Sequence, residues 1–278
     1  MDYIDLHVHS SASDGTMSPT EVVHYAIEKG LYAFALTDHD TVDGLKEAYT
    51  AVAASNHRVK LIPGIEISST YNDGDLHILG LGIDYKDTEF LKGITKCRNS
   101  RDIRNKKIIM KLNECGVPVT EETINLRYGD VSITRAHYAR YLMDKGYVKS
   151  IKEAFDKYLK AGAPCYVPRE YITPQAAIKL ILDAGGQPVL AHPILYHLMQ
   201  QELDSLVAQL KSLGLMGIEA IYSTYTNEQE NFVKSLAKKH SLFITGGSDF
   251  HGTNKSDIDL MVGRGNLRVP KEIYPYLP

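Results

Sequence analysis

Cysteine is scarce in this chain of 278 residues: Cys97, Cys115 and Cys165 only. An odd number at wide spacing excludes a disulfide framework and a CxxC zinc site, so reduced, mostly buried thiols are expected. No apolar run approaches the roughly 20 residues that a membrane span requires, and the chain opens on an acidic strand instead of a secretory leader. A cytoplasmic protein is therefore expected, with no membrane contact and no obligate protein partner evident. Internal repeats and low-complexity tracts are missing too. Hydrophobic residues make up 44%, enough for a sizeable core, and the length suits one α/β barrel without requiring two domains.

Net charge is also small, at −3, but unevenly spread. Residues 96–165 hold 15 Lys and Arg against 8 Asp and Glu, a surplus of +7 that leaves −10 for the remainder. An acidic body suits divalent cations and a basic segment suits an anion such as a phosphate ester, although a solvated basic helix face gives the same count.

What is present in quantity is histidine next to acid. The run Asp5-Leu6-His7-Val8-His9-Ser10 puts two imidazoles two residues apart in a segment that reads as a first strand. Alternate strand residues share a face, so His7 and His9 point the same way and suit one metal ion. A lone HxH is equally the wet face of a half-buried strand. Three later stretches, each expected to end a strand, tip the balance: Thr37-Asp38-His39-Asp40, Ala191-His192-Pro193 and Gly247-Ser248-Asp249-Phe250-His251-Gly252.

Between these motifs strand and helix signals alternate. Ser18, Pro19 and Glu21 form a capping box with proline at the first helical position, and Val22, Val23, Ala26 and Ile27 give that helix one buried stripe. A buried strand over residues 32–37 precedes a helix reaching Ala54, and Leu61 to Glu66 reads as a strand ending in a carboxylate. A turn at Asn72-Asp73-Gly74 leads to a strand beginning at His77. Helix then dominates. From 92 to 115 apolar residues recur on one side and Arg98, Arg101 and Arg104 on another. Thr134 caps a helix carrying Arg135 and His137 in its first turn, and a further helix covers 151–160. A strand is expected near Cys165–Val167, a helix from Thr173-Pro174 to Gly185, and strands at 187–191, 217–222 and 242–247.

Polar residues at the carboxyl ends of successive strands are where α/β barrels build active sites. Here they are metal-ligating types: His7, His9, His39, His77, His192 and His251 with Asp14, Glu66 and Asp249. Nine such groups suit two or three divalent ions, with Glu66 a natural bridge because a carboxylate has two oxygens. Asp38 and Asp40 flank His39, where they can orient its ring, accept a proton or cap the turn. His24, His57, His197 and His240 read as ordinary surface residues.

Taken jointly, Asp5 to Ser10, Ser13-Asp14-Gly15, Thr37 to Asp40, Gly64-Ile65-Glu66, Ala191 to Pro193 and Gly247 to Gly252 resemble the ordered motifs of the polymerase and histidinol phosphatase (PHP) family. The resemblance implies a distorted (β/α)7, TIM-like barrel with a helical insertion: barrel over 1–95 and 166–278, basic insert over 96–165 covering the active site. It also implies a trinuclear centre of manganese, iron or zinc. One ion would take His7, His9, Glu66 and Asp249, a second Glu66, His77 and His192, and a third Asp14, His39 and His251.

Ser132-Ile133-Thr134-Arg135-Ala136-His137 resembles the Thr-Arg-Pro-His segment of PHP proteins that act as nucleoside 3',5'-bisphosphate phosphatases and 5'-to-3' exoribonucleases, with Ala136 replacing the usual proline. That likeness implies that Arg135 and His137 grip the phosphate that is not cleaved. The expected reaction is hydrolysis of a phosphate ester by metal-activated hydroxide, on a nucleotide or short 5'-phosphorylated RNA. Histidinol-phosphate phosphatase, an amidohydrolase and a non-catalytic metal-binding PHP module are the alternatives.

Overall fold

The computed structural model describes residues 2–71, 74–129, 131–168 and 172–276. The first two residues of the expected Asn72-Asp73-Gly74 turn lie outside them. The chain divides into two compact units, Met1–Ile94 with Ile172–Pro278, and Thr95–Tyr171.

In the first unit seven strands form one sheet in sequence order. The opening elements are β1 (Ile4–Val8), α1 (Pro19–Glu28), β2 (Ala33–Leu36), α2 (Asp43–Ala54), β3 (Lys60–Tyr71) and β4 (Gly74–Leu81). The capping box at Ser18 is formed: its side chain accepts from Glu21 N while Glu21 reaches back to the Ser18 backbone. β1, β2 and the start of β3 pair in parallel, as crossover helices require.

β3 does not end at the expected carboxylate. It runs past Glu66 to Tyr71 and pairs antiparallel with β4, from Gly64↔Leu81 to Tyr71↔Gly74. The cause lies in the partners: Glu66 still exchanges main-chain hydrogen bonds with Asp38 and Asp40 after β2, and on its other edge β3 pairs with β4 from Gly64 onward, which carries the strand on to Tyr71. His77 is likewise inside β4. An antiparallel strand brings its first half, not its carboxyl end, to the rim where the parallel strands finish.

α3 (Thr88–Glu114) begins in the first unit and continues into the second, which also contains α4 (Glu121–Tyr128), α5 (Arg135–Asp144) and α6 (Ile151–Ala154), the last prolonged by a π-helical stretch over Phe155–Leu159. The second unit has its own core, in which Ile108, Leu112, Ile124, Tyr138, Leu142 and Leu159 pack together. Arg101 and Arg104, expected on a polar face, are each 4% exposed. The strand expected near Cys165–Val167 is irregular chain: Cys165 N donates to Tyr158 O and Val167 joins the helical core, so no sheet partner is involved. Cys97 and Cys165 are buried, Cys115 is exposed, and none of the three is in a disulfide.

The barrel is completed by α7 (Pro174–Asp183), β5 (Gln187–Leu190), α8 (Gln200–Ser212), β6 (Gly217–Tyr222), α9 (Asn227–Lys239) and β7 (Phe243–Gly247). Two apolar layers hold it. Phe34, Leu36, Ile65, Ile78 and Leu190 face the helices, whereas Leu6, Ala35, Ile62, Leu79 and Val189 pack among strands and the C-terminal segment. A register shift lies between Asp5 and Val8, so Leu6 falls in the strand layer and Val8 in the helix layer. Such an irregularity re-aims side chains. His7 and His9 are thereby released to one direction.

The sheet nearly closes between β1 and β7. Asp249 N donates to His7 O at 2.9 Å, His9 N to Phe250 O at 3.0 Å, and Ser248 N to Asp5 Oδ1 at 2.8 Å. Gly247 permits this approach, because a Cβ there would lie 2.5 Å from His7 Cβ and 2.6 Å from its backbone N. Gly247→Ala should therefore cost about 1–3 kcal/mol through overpacking against atoms that cannot rotate away. A thermal melt with an unchanged midpoint would show that the seam has slack.

Candidate metal centre

All nine side chains singled out as ligands lie in the first unit, and they converge. Glu66, 1% exposed, is at the middle. Its Oε2 lies 3.1 Å from His7 Nε2, 3.1 Å from His9 Nε2 and 3.3 Å from His39 Nδ1. Its Oε1 lies 2.8 Å from His77 Nδ1 and 2.9 Å from His192 Nε2. The remaining two carboxylates flank this core. Asp249 Oδ1 is 3.6 Å from His7 Nε2, 3.4 Å from His9 Nε2 and 3.3 Å from His251 Nδ1. Asp14 Oδ1 is 3.2 Å from His251 Nε2, and its Oδ2 is 3.9 Å from His39 Nε2.

Seven of the nine fall into three overlapping groups whose atoms lie within 4.8 Å of one another, His192 and Asp249 standing outside them: His9, Asp14, His39 and His251; His7, His9 and Glu66; His39, Glu66 and His77. His9, His39 and Glu66 each belong to two groups. The partition implied by the family likeness used His192 beside His77; here His39 shares that position, while His192 touches Glu66 directly.

Secondary structure explains the convergence. His7 comes from the end of β1 and His9 from the residue after it, and His39, His192, Asp249 and His251 from the loops after β2, β5 and β7. Glu66 and His77 come from facing strands of the hairpin, where Ser68 pairs with His77 and Glu66 with Leu79. Asp40, His192 and Asp249 have positive φ values of 53, 27 and 56°, conformations that surrounding structure must enforce on an L residue.

Electrostatics follow from burial. Desolvation opposes ionisation of Glu66, but His39, His7 and His77 outweigh it and hold the carboxyl well below its ordinary value. Burial also opposes a charge on His7, yet Glu66, Glu219 and Asp249 carry its value well above normal. His9, beside His251 and His39, is held well below by burial and those neighbours. Both His9 ring nitrogens are buried without a hydrogen-bond partner among the described residues, despite carboxylate oxygens at 3.1 and 3.4 Å. Imidazole lone pairs and carboxylate oxygens crowded this way, but not hydrogen-bonded, are a donor set that fits divalent cations.

Asp38 receives Ser10 N at 2.8 Å, Ser10 Oγ at 2.7 Å and Ser13 Oγ at 2.6 Å, and burial pushes its carboxyl up to about 6. Asp40 Oδ1 receives Ser68 N at 2.9 Å. These contacts tie the loop after β2 to the loop after β1 and to β3. Arg135 and His137 belong to the second unit. There Thr134 N donates to His137 Nδ1 at 2.9 Å in a capping box, and the Arg135 guanidinium lies 5.8 Å from the centre of the Tyr166 ring.

Three contributors escaped the sequence reading. Glu219 bridges His7 Nδ1, at 3.1 Å, and His192 N, at 2.7 Å. Tyr222 OH donates to Asp249 Oδ2 at 2.6 Å, and Lys255 Nζ reaches the same oxygen. The available signal was a carboxylate inside the otherwise apolar run Gly217-Ile218-Glu219-Ala220-Ile221.

Comparison with known proteins bears on the family. A model of the PHP domain matches residues 5–168. A 5'-3' exoribonuclease of Haemophilus influenzae is 36% identical over 247 residues, 89% of this chain and 89% of that protein. A 3',5'-nucleoside bisphosphate phosphatase of Chromobacterium violaceum is 34% identical over 259 residues, covering 92% of this chain and 90% of that one. Among solved structures, a Bifidobacterium adolescentis protein named as a candidate metal-dependent phosphoesterase superposes with a TM-score of 0.85 at 28% identity, over 98% of this chain and 94% of that one. An amidohydrolase of C. violaceum with bound sulfate and no metal gives 0.84 at 34% identity, over 90% and 87%. With its motifs, its barrel and its cluster of imidazoles around one buried carboxylate, the chain belongs to the PHP domain family.

Proposed function

We propose that this chain is a metal-dependent phosphoesterase that removes the 3'-phosphate of nucleoside 3',5'-bisphosphates and acts on short 5'-phosphorylated RNA. The carrying observation is Glu66, one buried carboxylate within 3.3 Å of five imidazole nitrogens. The names of the relatives supply the substrate class.

His7, His9, Asp14, His39, Glu66, His77, His192, Asp249 and His251 would hold two or three ions, and manganese, iron and zinc all suit such mixed donors. When bound, they supply water activation near neutral pH and neutralise charge on phosphoryl oxygens. The chain's own groups do the rest. Asp38 and Asp40 keep the ligand loops in place through their serine contacts. Arg135 and His137 bind the phosphate that does not react. They stand in the first turn of α5, where the helix dipole favours an anion. Because Nδ1 of a neutral His137 accepts from Thr134 N, its proton sits on Nε2, which makes that nitrogen a donor.

Phosphate release from adenosine 3',5'-bisphosphate, lost on chelation and restored by divalent metal, tests the assignment. Equal turnover of histidinol phosphate would overturn the substrate choice, and amide hydrolysis without phosphatase activity would overturn the class.

Glu66→Gln should abolish turnover and lower bound metal, read by elemental analysis; full metal content with near-normal activity would remove Glu66 from the centre. In chelator-treated protein the same substitution has a pH signature. The Glu66 carboxylate raises His7 and His77, so its contribution to stability is fully present below the unfolded histidine value of about 6.5 and is lost as pH rises through the raised folded values. The melting-point gap between wild type and Glu66→Gln should thus be wide near pH 6 and narrow at higher pH. A constant gap would contradict the coupling.

A group that holds a non-reacting phosphate before and during attack contributes mostly uniform binding. Arg135→Ala should raise KM for the 3',5'-bisphosphate, by about 2 kcal/mol in kcat/KM, with little change in kcat. On a 3'-monophosphate it should cost little. Equal losses on both substrates would place Arg135 at the reacting phosphoryl group or in support of the fold.

A further inference from the structure

We infer that Glu219 is the positioning residue that prepares two of the proposed ligands, His7 and His192, for metal. It rises from β6 and is fully buried. A carboxyl group buried in such surroundings persists only when its oxygens are satisfied. Both are: Oε1 lies 3.1 Å from His7 Nδ1, and Oε2 accepts from the His192 main-chain N at 2.7 Å.

The first contact decides a tautomer. A carboxylate at Nδ1 keeps a proton there, so the nitrogen left to offer its lone pair to a metal is Nε2, which lies 3.1 Å from Glu66 and 3.6 Å from Asp249. Outer carboxylates fix metal-binding imidazoles in this way. The second contact holds a turn. His192 has φ 27° and ψ 54°, outside the regions an L residue adopts easily, and the hydrogen bond to Glu219 ties down its N–H. That conformation sends His192 Nε2 to Glu66 Oε1 at 2.9 Å. One side chain from β6 therefore sets the aim of a ligand on β1 and a ligand after β5, which meet on opposite oxygens of Glu66. Asp38 and Asp40, the carboxylates adjacent to a ligand in sequence, accept from Ser10, Ser13 and Ser68.

The inference rests on reading His7 as a ligand through Nε2, and its test separates the two ideas. Glutamine in place of Glu219 offers one acceptor oxygen and one donor NH2, so it satisfies His7 Nδ1–H or His192 N–H but not both. Glu219→Gln should hold zinc 10–100-fold more weakly than wild type in competition with a chromogenic chelator. Proton NMR of the zinc-loaded wild-type protein provides a measurement independent of the variant's folding: His7 should carry its proton on Nδ1. Equal zinc affinity in wild type and variant, or a His7 proton on Nε2, would overturn the role of Glu219. A wild-type protein that retains no zinc would overturn the metal-centre reading along with it.

Discussion

The structure depends on keeping one ionised carboxyl group out of water. Glu66 is 1% exposed, and a bare carboxylate there would carry a desolvation penalty of several kcal/mol. Imidazoles from β1, the loop after β2, the hairpin and the turn after β5 surround it, so segments far apart in sequence have a common reason to meet. The narrow approaches of the barrel serve this meeting. Gly64 lets β3 pass close to β2, where a Cβ would lie 2.8 Å from the Thr37 methyl and 3.0 Å from Leu36 O, just before β3 delivers Glu66. Gly247 does the same at the other side, against His7.

A second layer of buried carboxylates is aimed at main-chain N–H groups. Asp5 accepts from Ser248 N and Met261 N, Asp38 from Ser10 N, Asp40 from Ser68 N, and Glu219 from His192 N. Loops that carry ligands would otherwise expose unpaired donors, because they leave the sheet where its ladder ends. Asp5, Asp38 and Glu219 thus satisfy the backbone of loops that bear proposed ligands, and Asp40, itself a positive-φ residue, ties its loop to β3. Such anchoring confines side-chain geometry to the fraction of an ångström that metal sites demand.

Much of this was legible in the chain itself, for physical reasons. The proposed ligands belong to a few residue types and stand in short motifs at or near strand ends, and the helix starts at Ser18, Thr134 and Thr173 carry local hydrogen-bond signatures that tertiary packing did not override. Other features depend on long-range partners. The continuation of β3 beyond Glu66 follows from a strand order that no local pattern encodes. Glu219 looks like any acidic residue until His7, 212 positions away, is placed beside it. Arg101 and Arg104 follow the spacing of a polar face but are covered, since the packing of the second unit decides which side of α3 meets solvent. His137 reads as a phosphate group's partner in sequence and also caps its own helix in three dimensions.

The antiparallel hairpin introduces a matter of phase. Ser68 stands opposite His77 and Glu66 opposite Leu79, so His77 reaches Glu66 diagonally across two strands on the same face. Side chains alternate with a period of two, and a slip of one residue would turn His77 toward Ile67 and Ile78, into the layer under the helices. Parity therefore governs which length changes this hairpin tolerates. Paired insertions beyond Ser68 and His77 preserve the alternation, whereas a single deletion between Glu66 and Tyr71 reverses it and hands an imidazole to an apolar layer.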